Sequence, residues 1–96
     1  MKKPSFEWDK RKNDENILKH GISFELAQYA FDDTKRIIAL DHKHSTKEEK
    51  RFFCYGFYNG AIITVRFTWR NQIIRIFGAG YWREGKKFYY EKNKIH

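Results

Sequence analysis

The stretch RFFCYGFYNGAIITVRFTWR, residues 51–70, decides the fold, because it reads as two strands joined by a tight turn. The residues on both sides of Asn59-Gly60 are mostly β-branched or aromatic, as is typical of strands. An Asn-Gly pair between such runs is the strongest short-range signal for a two-residue hairpin turn. With Asn59 and Gly60 as the turn, Tyr58 pairs with Ala61, and the register of the remaining pairs follows.

This register divides the hairpin side chains between two faces, because successive side chains of a strand point to opposite sides. One face carries Phe52, Cys54, Ile63, Val65 and Phe67, and the other carries Arg51, Phe53, Tyr55, Thr64, Arg66 and Thr68. We expect the first face to be the core, under the helices. The second face is either a surface that binds an anion or an ordinary solvated surface with salt bridges.

A further strand is predicted at residues 72–77. A connection of even length puts Ile74 and Ile76 on the core face. It puts Arg75 on the face that carries Arg51 and Arg66 (the arginine face), whereas an odd length moves Arg75 toward the core. With a turn at residues 70–71, Arg66 lies directly opposite Arg75. Like charges in that position are destabilising, so the pattern favours a surface built to receive an anion.

The other predicted elements precede or follow these three strands. They are an edge strand at residues 6–8, helices at 9–20, 23–32 and 83–93, and a strand at 36–40. Asp9 and Ser23 are expected to cap the first two helices at their N-termini, with Gly21 just past the end of the first. Ile17 and Leu18 are the only strong apolar residues of the first helix, so we expect it on the surface, anchored by its last turn.

Together these elements predict one α+β domain over residues 1–96. Its sheet is expected to be antiparallel with three to four strands, and the C-terminal helix follows the last strand. The two N-terminal helices are expected on one face of that sheet.

The composition indicates a small cytoplasmic protein with a polyanionic partner. Its 96 residues are 41% hydrophobic and 19% aromatic, which suffices for one modest core. No apolar run approaches the ~18 residues of a membrane helix, the first 14 residues lack a signal-peptide core, and one cysteine cannot form an internal disulfide. The net charge of +8 favours nucleic acid as the partner, the alternative being charge that serves solubility alone.

The arginine face predicts a candidate site for metal-independent RNA cleavage. Such a reaction needs a base for the 2′-OH proton, an acid for the leaving 5′-oxygen and cations for the phosphorane charge. Arg51, Arg66 and Arg75 are the candidate cations, because the guanidinium fork binds phosphate through two hydrogen bonds.

Proton transfer is assigned to Glu49 or His20, with Lys19 adding positive charge near the phosphate. The alternative for His20 is the simpler role of a residue at a helix C-terminus, where the helix dipole favours it.

Aromatic and basic residues are interleaved near the C-terminus, a pattern that can stack on unpaired bases and hold phosphates. The candidate RNA-binding residues are Tyr55, Tyr81, Trp82, Arg83, Lys86 and Lys87. The alternative is a last helix whose aromatic side packs on the sheet.

The remaining reactive residues carry weaker signals. His42 and His44 lie beside Asp41 in a polar loop, and we interpret this as a plain loop rather than a metal site. Cys54 is expected to face the core, without a neighbour that would activate it. We expect neither a metal nor a cofactor.

The sequence also resembles the BrnT-type toxins over nearly its whole length. The most specific blocks are FEWD at residues 6–9 and KHGISFE at residues 19–25, and Lys12 and Asn16 are matching positions between them. The similarity continues through Phe31-Asp32, His44-Ser45, Glu49, Arg51-Phe52, Phe67-Thr68 and Arg75-Ile76.

This resemblance implies a ribonuclease toxin of a type II toxin–antitoxin pair, with a RelE-like fold and no need for a metal. It implies a ribbon-helix-helix antitoxin of the BrnA type as partner, and contact with DNA only through the toxin–antitoxin complex. The residues carried over by motif are Lys19, His20, Glu49, Arg51 and Arg75.

One position departs from the family pattern, since Gly80 stands where many relatives have an arginine. Arg83 is a candidate to reach the same phosphate. The departure keeps open a second hypothesis, in which the chain is a non-catalytic module that binds RNA or protein on the same scaffold.

Overall fold

The computed structural model describes residues 4–94, so the two ends of the predicted 1–96 domain lie outside the described residues. The elements are β1 (Ser5–Trp8), α1 (Lys10–His20), α2 (Phe24–Ala27), a 3₁₀ helix (Gln28–Asp32), β2 (Ile37–Leu40), β3 (Arg51–Tyr58), β4 (Ala61–Arg70), β5 (Ile73–Gly80) and α3 (Arg83–Asn93). Across residues 4–94, the strands form one five-stranded sheet in the order β1-β5-β4-β3-β2.

The predicted hairpin is confirmed with its register. Tyr58 pairs with Ala61 at the turn, and Arg51 pairs with Thr68 at the other end. Asn59 and Gly60 have φ angles of 52° and 86°, as a turn that matches the right-handed twist of the strands requires.

The connection between β4 and β5 lies one residue later than predicted. Asn71 and Gln72 form it, with φ angles of 50° and 68°, while Arg70 stays in β4 and pairs with Ile73. The loop has the expected even length, so Arg75 does lie on the arginine face, opposite Thr68. The predicted direct opposition of Arg66 and Arg75 is wrong, because the later turn shifts the register.

A β-bulge changes the second half of β5. The register shifts between Phe67, which pairs with Ile76, and Arg66, which pairs with Gly78. Phe77 is therefore an extra residue without a partner on β4. The predicted end of this strand at residue 77 is wrong, since β5 continues to Gly80, opposite Thr64.

The predicted purely antiparallel sheet of three to four strands is also wrong. β1 forms a fifth strand that pairs in parallel with β5, from Ser5 opposite Ile73 to Trp8 opposite Ile76. Residues 6–8 were correctly predicted to form an edge strand. Its direction depends on the path of the chain through α1, α2 and the β2–β4 meander, which local pattern does not specify.

The apolar face of the sheet is covered by α2 and the 3₁₀ helix. Buried residues at this layer are Ile22, Phe24, Ala27, Ala30, Cys54, Ile63, Val65, Phe67, Ile74, Ile76 and Ala79. Phe31 of the 3₁₀ helix contacts Phe67 edge to face, with ring centroids 5.0 Å apart. The predicted second helix is thus present, with its second half tightened into 3₁₀ geometry.

The first helix does not lie on that face, in contrast to the prediction. Beyond Trp8 the outer edge of β5 has no neighbouring strand, and the side chain of Asn16 occupies this place. The Asn16 Nδ2 donates to Ala79 O at 2.9 Å and Ala79 N donates to Asn16 Oδ1 at 3.2 Å. α1 therefore runs along the edge of the sheet.

The anchor of α1 is polar rather than apolar. Ile17 is 44% exposed and Leu18 is 87% exposed, whereas Asn13 and Asn16 are buried. Asn13 accepts a hydrogen bond from Phe24 N at 2.8 Å, which ties the helix to α2. The expected anchoring by Ile17 and Leu18 is therefore wrong. Backbone groups of the neighbouring β5 and α2 that have no backbone partner need hydrogen bonds, and asparagine side chains supply them.

The helix boundaries of the N-terminal segment follow the predicted capping residues. Asp9 Oδ1 accepts a hydrogen bond from Lys12 N at 3.0 Å, and Ser23 Oγ accepts one from Leu26 N at 3.0 Å. Gly21 has a φ angle of 69°, in the left-handed region where glycine is favoured.

The C-terminal helix α3 covers part of the outer face. A β-carbon at Gly85 would clash with Thr64 Oγ1, and Phe88 contacts the ring of Tyr55 with centroids 5.2 Å apart. Tyr89 Oη donates to Asp33 Oδ2 and so ties α3 to the turn before β2. The outer face is therefore divided between a part under α3 and a part left open beside α1.

Candidate active site

A cleft of about 280 Å³ lies between α1 and the open part of the outer face. It is lined by Lys12, Glu15, Asn16, Lys19, His20, Arg51, Arg66, Phe77, Gly78 and Trp82. Lysine, arginine and histidine supply half of this lining, so the cleft concentrates positive charge from two distant parts of the sequence.

Helical spacing explains the contribution of α1. Asn16 is fixed to the edge of β5, and residues three and four positions away lie on the same side of a helix. Lys12 and Lys19 therefore stand on either side of Asn16 along the rim of the cleft. His20, the last residue of the helix, lies at the end of this row.

Arg51 is held in place from two directions. Its guanidinium carbon lies 4.3 Å from the centre of the Phe77 ring, and its Nε donates to Glu49 Oε1 at 3.2 Å. Lys12 Nζ is 5.4 Å from the same ring. Phe77 lies two residues after Arg75 and therefore on the same face, where one aromatic ring supports two cations through cation–π contacts.

Arg66 reaches the cleft across Gly78, its partner on β5. A β-carbon on Gly78 would stand 3.6 Å from Arg66 Cδ, so the arginine side chain lies directly over this glycine. Within residues 4–94, no carboxylate lies at ion-pair distance from Arg66, and its charge remains available to an anion.

His20 does overhang the arginine face. Its ring contacts Trp82 edge to face, with centroids 5.2 Å apart, and both residues line the cleft with Arg51 and Arg66. The helix terminus is thus part of the same surface as the sheet arginines.

Trp82 also accounts for the glycine at position 80. A β-carbon on Gly80 would lie 2.6 Å from the Trp82 ring atoms Cε2 and Cζ2, closer than unbonded carbons approach. The indole therefore occupies the space in which any side chain of residue 80 would begin, and an arginine there is incompatible with this position of Trp82.

We expect Gly80→Ala to destabilise the protein by about 1–3 kcal/mol, the typical cost of forcing an extra methyl group into a packed site. In a Trp82→Ala background the same change should cost much less, since the clashing ring is absent. A double-mutant cycle on urea unfolding measures this coupling. Equal costs of Gly80→Ala in both backgrounds would contradict the proposed contact.

Glu49 and Arg75 lie outside the cleft. Glu49 binds Arg51 through Oε1 and Arg70 Nη2 through Oε2 at 3.3 Å. Burial raises its pKa, but the hydrogen bonds and charges of the two arginines outweigh burial and hold the pKa below its ordinary value. Arg75 Nη1 pairs with Glu7 Oε2 at 3.1 Å.

The predicted RNA-binding residues are spread over four places. Trp82 lines the cleft, whereas Tyr55 lies half-buried under α3, and burial raises the pKa of its hydroxyl. Tyr81 and Lys86 line a separate hollow of about 250 Å³ beside the β3–β4 turn. Arg83 and Lys87 are exposed on α3.

The residues interpreted as unreactive fall into two groups. Cys54 is buried, and burial raises the pKa of its thiol to about 12, so it stays protonated. His42 is exposed, while His44 is hydrogen-bonded to Asp41. In the part of the chain that the structure describes, no three His, Cys, Asp or Glu side chains cluster closely enough to hold a metal ion.

Sequence reasoning missed several lining residues. Lys12 could have been predicted from the sequence, since it lies seven residues before Lys19 and therefore on the same side of α1. Phe77 could also have been predicted, since it lies two residues after Arg75 and therefore on the same face. Gly78 could not, because the bulge that puts it opposite Arg66 is set by pairing between strands.

The fold and the cleft define a small, basic α+β protein that presents concentrated positive charge beside a histidine. The chain belongs to the family described as "Ribonuclease toxin, BrnT, of type II toxin-antitoxin system", whose model matches residues 8–85. This confirms the resemblance seen in the sequence, and the matched range includes every residue that lines the cleft.

Membership of this family implies an RNA substrate and an antitoxin partner. No curated protein matches the chain. Within the described residues, no helix has the length and apolar character that crossing a membrane requires.

Proposed function

We propose that the protein is a cytoplasmic, metal-independent endoribonuclease of RelE-like fold that binds the scissile phosphate of RNA in the α1 cleft. The observation that carries this proposal is the convergence of Lys19, His20, Arg51 and Arg66 on one cleft, in a member of a ribonuclease toxin family. The cleft supplies fixed cations and one group, His20, that can exchange a proton with the RNA.

The arginines stabilise the phosphorane. Attack of the 2′-OH on phosphorus places additional negative charge on the equatorial oxygens, and preorganised donors around them lower the barrier. Within residues 4–94 Arg66 has no carboxylate partner, and Arg51 is already oriented by Phe77 and Glu49, so little reorganisation is needed. Lys19 adds charge at the rim.

Proton transfer falls to His20 rather than Glu49. Histidine is the side chain that most readily exchanges a proton near neutral pH, and His20 lines the cleft itself. Both carboxylate oxygens of Glu49 accept hydrogen bonds from arginines, which favours the ionised form. In this proposal Glu49 orients Arg51.

The RNA strand extends beyond the cleft in both directions. Trp82 offers a stacking surface for an unpaired base next to the scissile phosphate. Arg75 lies on the same face as Arg51, one strand beyond Thr68, and contacts a flanking phosphate. Lys86, Lys87 and Arg83 attract the strand toward α3.

The expected partner is an antitoxin of the ribbon-helix-helix class, as in BrnA-type pairs. In this proposal the toxin reaches DNA only as part of the toxin–antitoxin complex. The support is the family membership, which implies a paired antitoxin.

A second function, RNA or protein binding without catalysis, is favoured by one specific observation. Trp82 fills the space of a side chain at position 80, where many relatives have an arginine. In that case the cleft would bind RNA and leave it intact.

The purified chain should cleave single-stranded RNA in EDTA, leaving 2′,3′-cyclic phosphate and 5′-hydroxyl ends. Binding to a 2′-deoxy oligonucleotide of the same sequence, which lacks the nucleophile, is measured in parallel. Cleavage with these ends supports the ribonuclease, whereas tight binding with intact RNA supports the binding module. Absence of both binding and cleavage would overturn the proposal.

A further inference from the structure

The turn before β3 contains a hydrogen-bonded Asp–His pair. Asp41 is buried, and its Oδ2 lies 2.8 Å from His44 Nδ1. The other carboxylate oxygen, Oδ1, accepts the backbone N–H of His44 at 3.2 Å. The imidazole is therefore held to the carboxylate through both its ring and its backbone.

This pair lies on the arginine face of the sheet. Asp41 N donates to Arg51 O at 2.8 Å, which continues the β2–β3 ladder one residue beyond Leu40. Residues directly opposite in a ladder point to the same side, so Asp41 shares the face of Arg51. The negative charge of Asp41 contributes, after burial, to the raised pKa of Tyr55 on that face.

Ser45 fixes the position of the pair relative to Arg51. Its hydroxyl donates to Asp41 O at 2.7 Å and accepts from Arg51 N at 2.8 Å. The hydroxyl is committed to backbone groups, which excludes an acyl-transfer triad with His44. It instead ties the turn to the first residue of β3.

The chemistry of the pair follows from its hydrogen bond. A carboxylate only accepts hydrogen bonds, so His44 Nδ1 carries the proton and Nε2 of the neutral ring keeps a lone pair. The side chain of His44 is 41% exposed and that of Asp41 is 5% exposed. A buried carboxylate behind a half-exposed imidazole is the arrangement of an oriented general base.

We propose that His44, oriented by Asp41, is the general base of the RNA cleavage proposed above, with His20 as the general acid. His44 Nε2 takes the proton of the 2′-OH as the 2′-oxygen bonds to phosphorus. The bond from phosphorus to the 5′-oxygen breaks, and His20 protonates that oxygen. The products are a 2′,3′-cyclic phosphate and a 5′-hydroxyl.

The order of elements across the sheet supports this division of roles. α1 with His20 lies beyond β5, Arg66 and Arg51 lie on β4 and β3, and the turn with His44 lies beyond β3. The two histidines therefore lie toward opposite edges of the strands that carry the arginines, with His20 lining the cleft and His44 outside its lining. Attacking and leaving oxygens of a phosphoryl transfer are also roughly in line on opposite sides of phosphorus.

Other acidic groups are poorer bases. Both oxygens of Glu49 are bound by arginines, and Glu15 at the rim of the cleft pairs with Arg11 at 3.6 Å. The two arginines hold the pKa of Glu49 below its ordinary value, and the carboxylate of Glu15 is already engaged by Arg11.

The first test compares His44→Ala with His42→Ala, an exposed histidine of the same turn. His44→Ala should lower kcat on RNA by about 100-fold or more, with unchanged affinity for the 2′-deoxy oligonucleotide, whereas its melting temperature should fall, because the buried Asp41 Oδ2 loses its partner. His42→Ala should stay within about twofold, the effect expected of a solvated side chain.

A substrate with a 4-nitrophenolate leaving group separates base from acid. Such a leaving group needs no protonation, so loss of a general acid matters little. His44→Ala should show the same loss on this ester as on RNA, whereas His20→Ala should recover most of its activity. Asp41→Asn should lose about tenfold or more on both substrates, because the amide no longer enforces the Nδ1–H tautomer.

The outcomes separate this inference from the proposed function. If Arg51→Ala/Arg66→Ala is inactive but His44→Ala cleaves at the wild-type rate, the ribonuclease stands and the role of His44 is overturned. If His44→Ala regains cleavage activity on the activated ester, the assignment of His44 as the general base is also overturned. If the wild-type chain does not cleave RNA at all, the proposed function and this inference both fail.

Discussion

Replacing Arg51 and Arg66 together by alanine is expected to lower kcat for RNA cleavage by about 10⁴-fold or more. Removal of one preorganised donor from a transition-state site typically costs about 10²–10³-fold, and the two arginines reach the cleft from different strands. Arg51 is oriented by Phe77 and Glu49, and Arg66 lies over Gly78, so each is fixed before RNA arrives. The measurement is a single-turnover cleavage assay with saturating enzyme.

The matched control is Lys10→Ala/Arg11→Ala, which removes the same net charge from the exposed side of α1. Both side chains are 89% exposed and neither lines the cleft. This control should keep kcat within about threefold and change mainly the salt dependence of binding. If both double variants lose activity equally, charge alone matters and the cleft is not the site.

The largest expected effect on stability is that of Gly56→Ala. Gly56 lies in the middle of β3 on the core face, and its α-carbon packs against the backbone of Ala30 in the 3₁₀ helix. A β-carbon would clash with the Ala30 carbonyl oxygen and with Ala30 Cα. Because both sides of this contact are backbone, no rotation of a side chain relieves the clash.

We expect Gly56→Ala to lower the free energy of unfolding by about 3 kcal/mol or more, and the melting temperature by about 12 °C or more. Gly78→Ala is the matched control, since it also adds one methyl group to a glycine within a strand. The atoms nearest to its β-carbon would belong to the Arg66 and Asn16 side chains, at 3.6–3.9 Å, so the cost should stay within about 1 kcal/mol. Similar melting temperatures for the two variants would contradict the packing of the 3₁₀ helix on β3.

The hairpin and the helix boundaries were predictable because their signals are local. Asn59-Gly60 specifies a turn whose backbone angles few other pairs adopt, and the register of β3 and β4 follows from it. Asp9, Gly21 and Ser23 act on hydrogen bonds within three or four residues. Such contacts depend little on the rest of the chain.

The errors arose where distant segments meet. β1 pairs with β5 across more than sixty residues, and no local pattern gives the direction of that pairing. The anchor of α1 was assigned to Ile17 and Leu18 because apolar residues usually pack inward. Asn16 serves instead, since the open edge of β5 needs a hydrogen-bond donor and acceptor.

The candidate site, too, was predictable only where its signals are local. Alternation along the strands placed Arg51, Arg66 and Arg75 on one face from sequence alone. The structure separates Arg75, which pairs with Glu7, from the two arginines of the cleft. It also moves Tyr55 under α3, because Gly85 and Phe88 pack closely on that part of the face.

By itself, the sequence determined a basic α+β chain with a hairpin at residues 51–70, an arginine-bearing outer face and membership of a toxin family. The first three properties depend on charge, periodicity and short-range turn chemistry, all of which are local, and the family membership follows from the resemblance of the motifs at residues 6–9 and 19–25. Only the tertiary structure decided that His20 overhangs Arg51 and Arg66, and that Trp82 takes the space beside Gly80. These placements depend on the Asn16–Ala79 hydrogen bonds and on the Phe77 bulge, which exist only when segments far apart in sequence pack against each other.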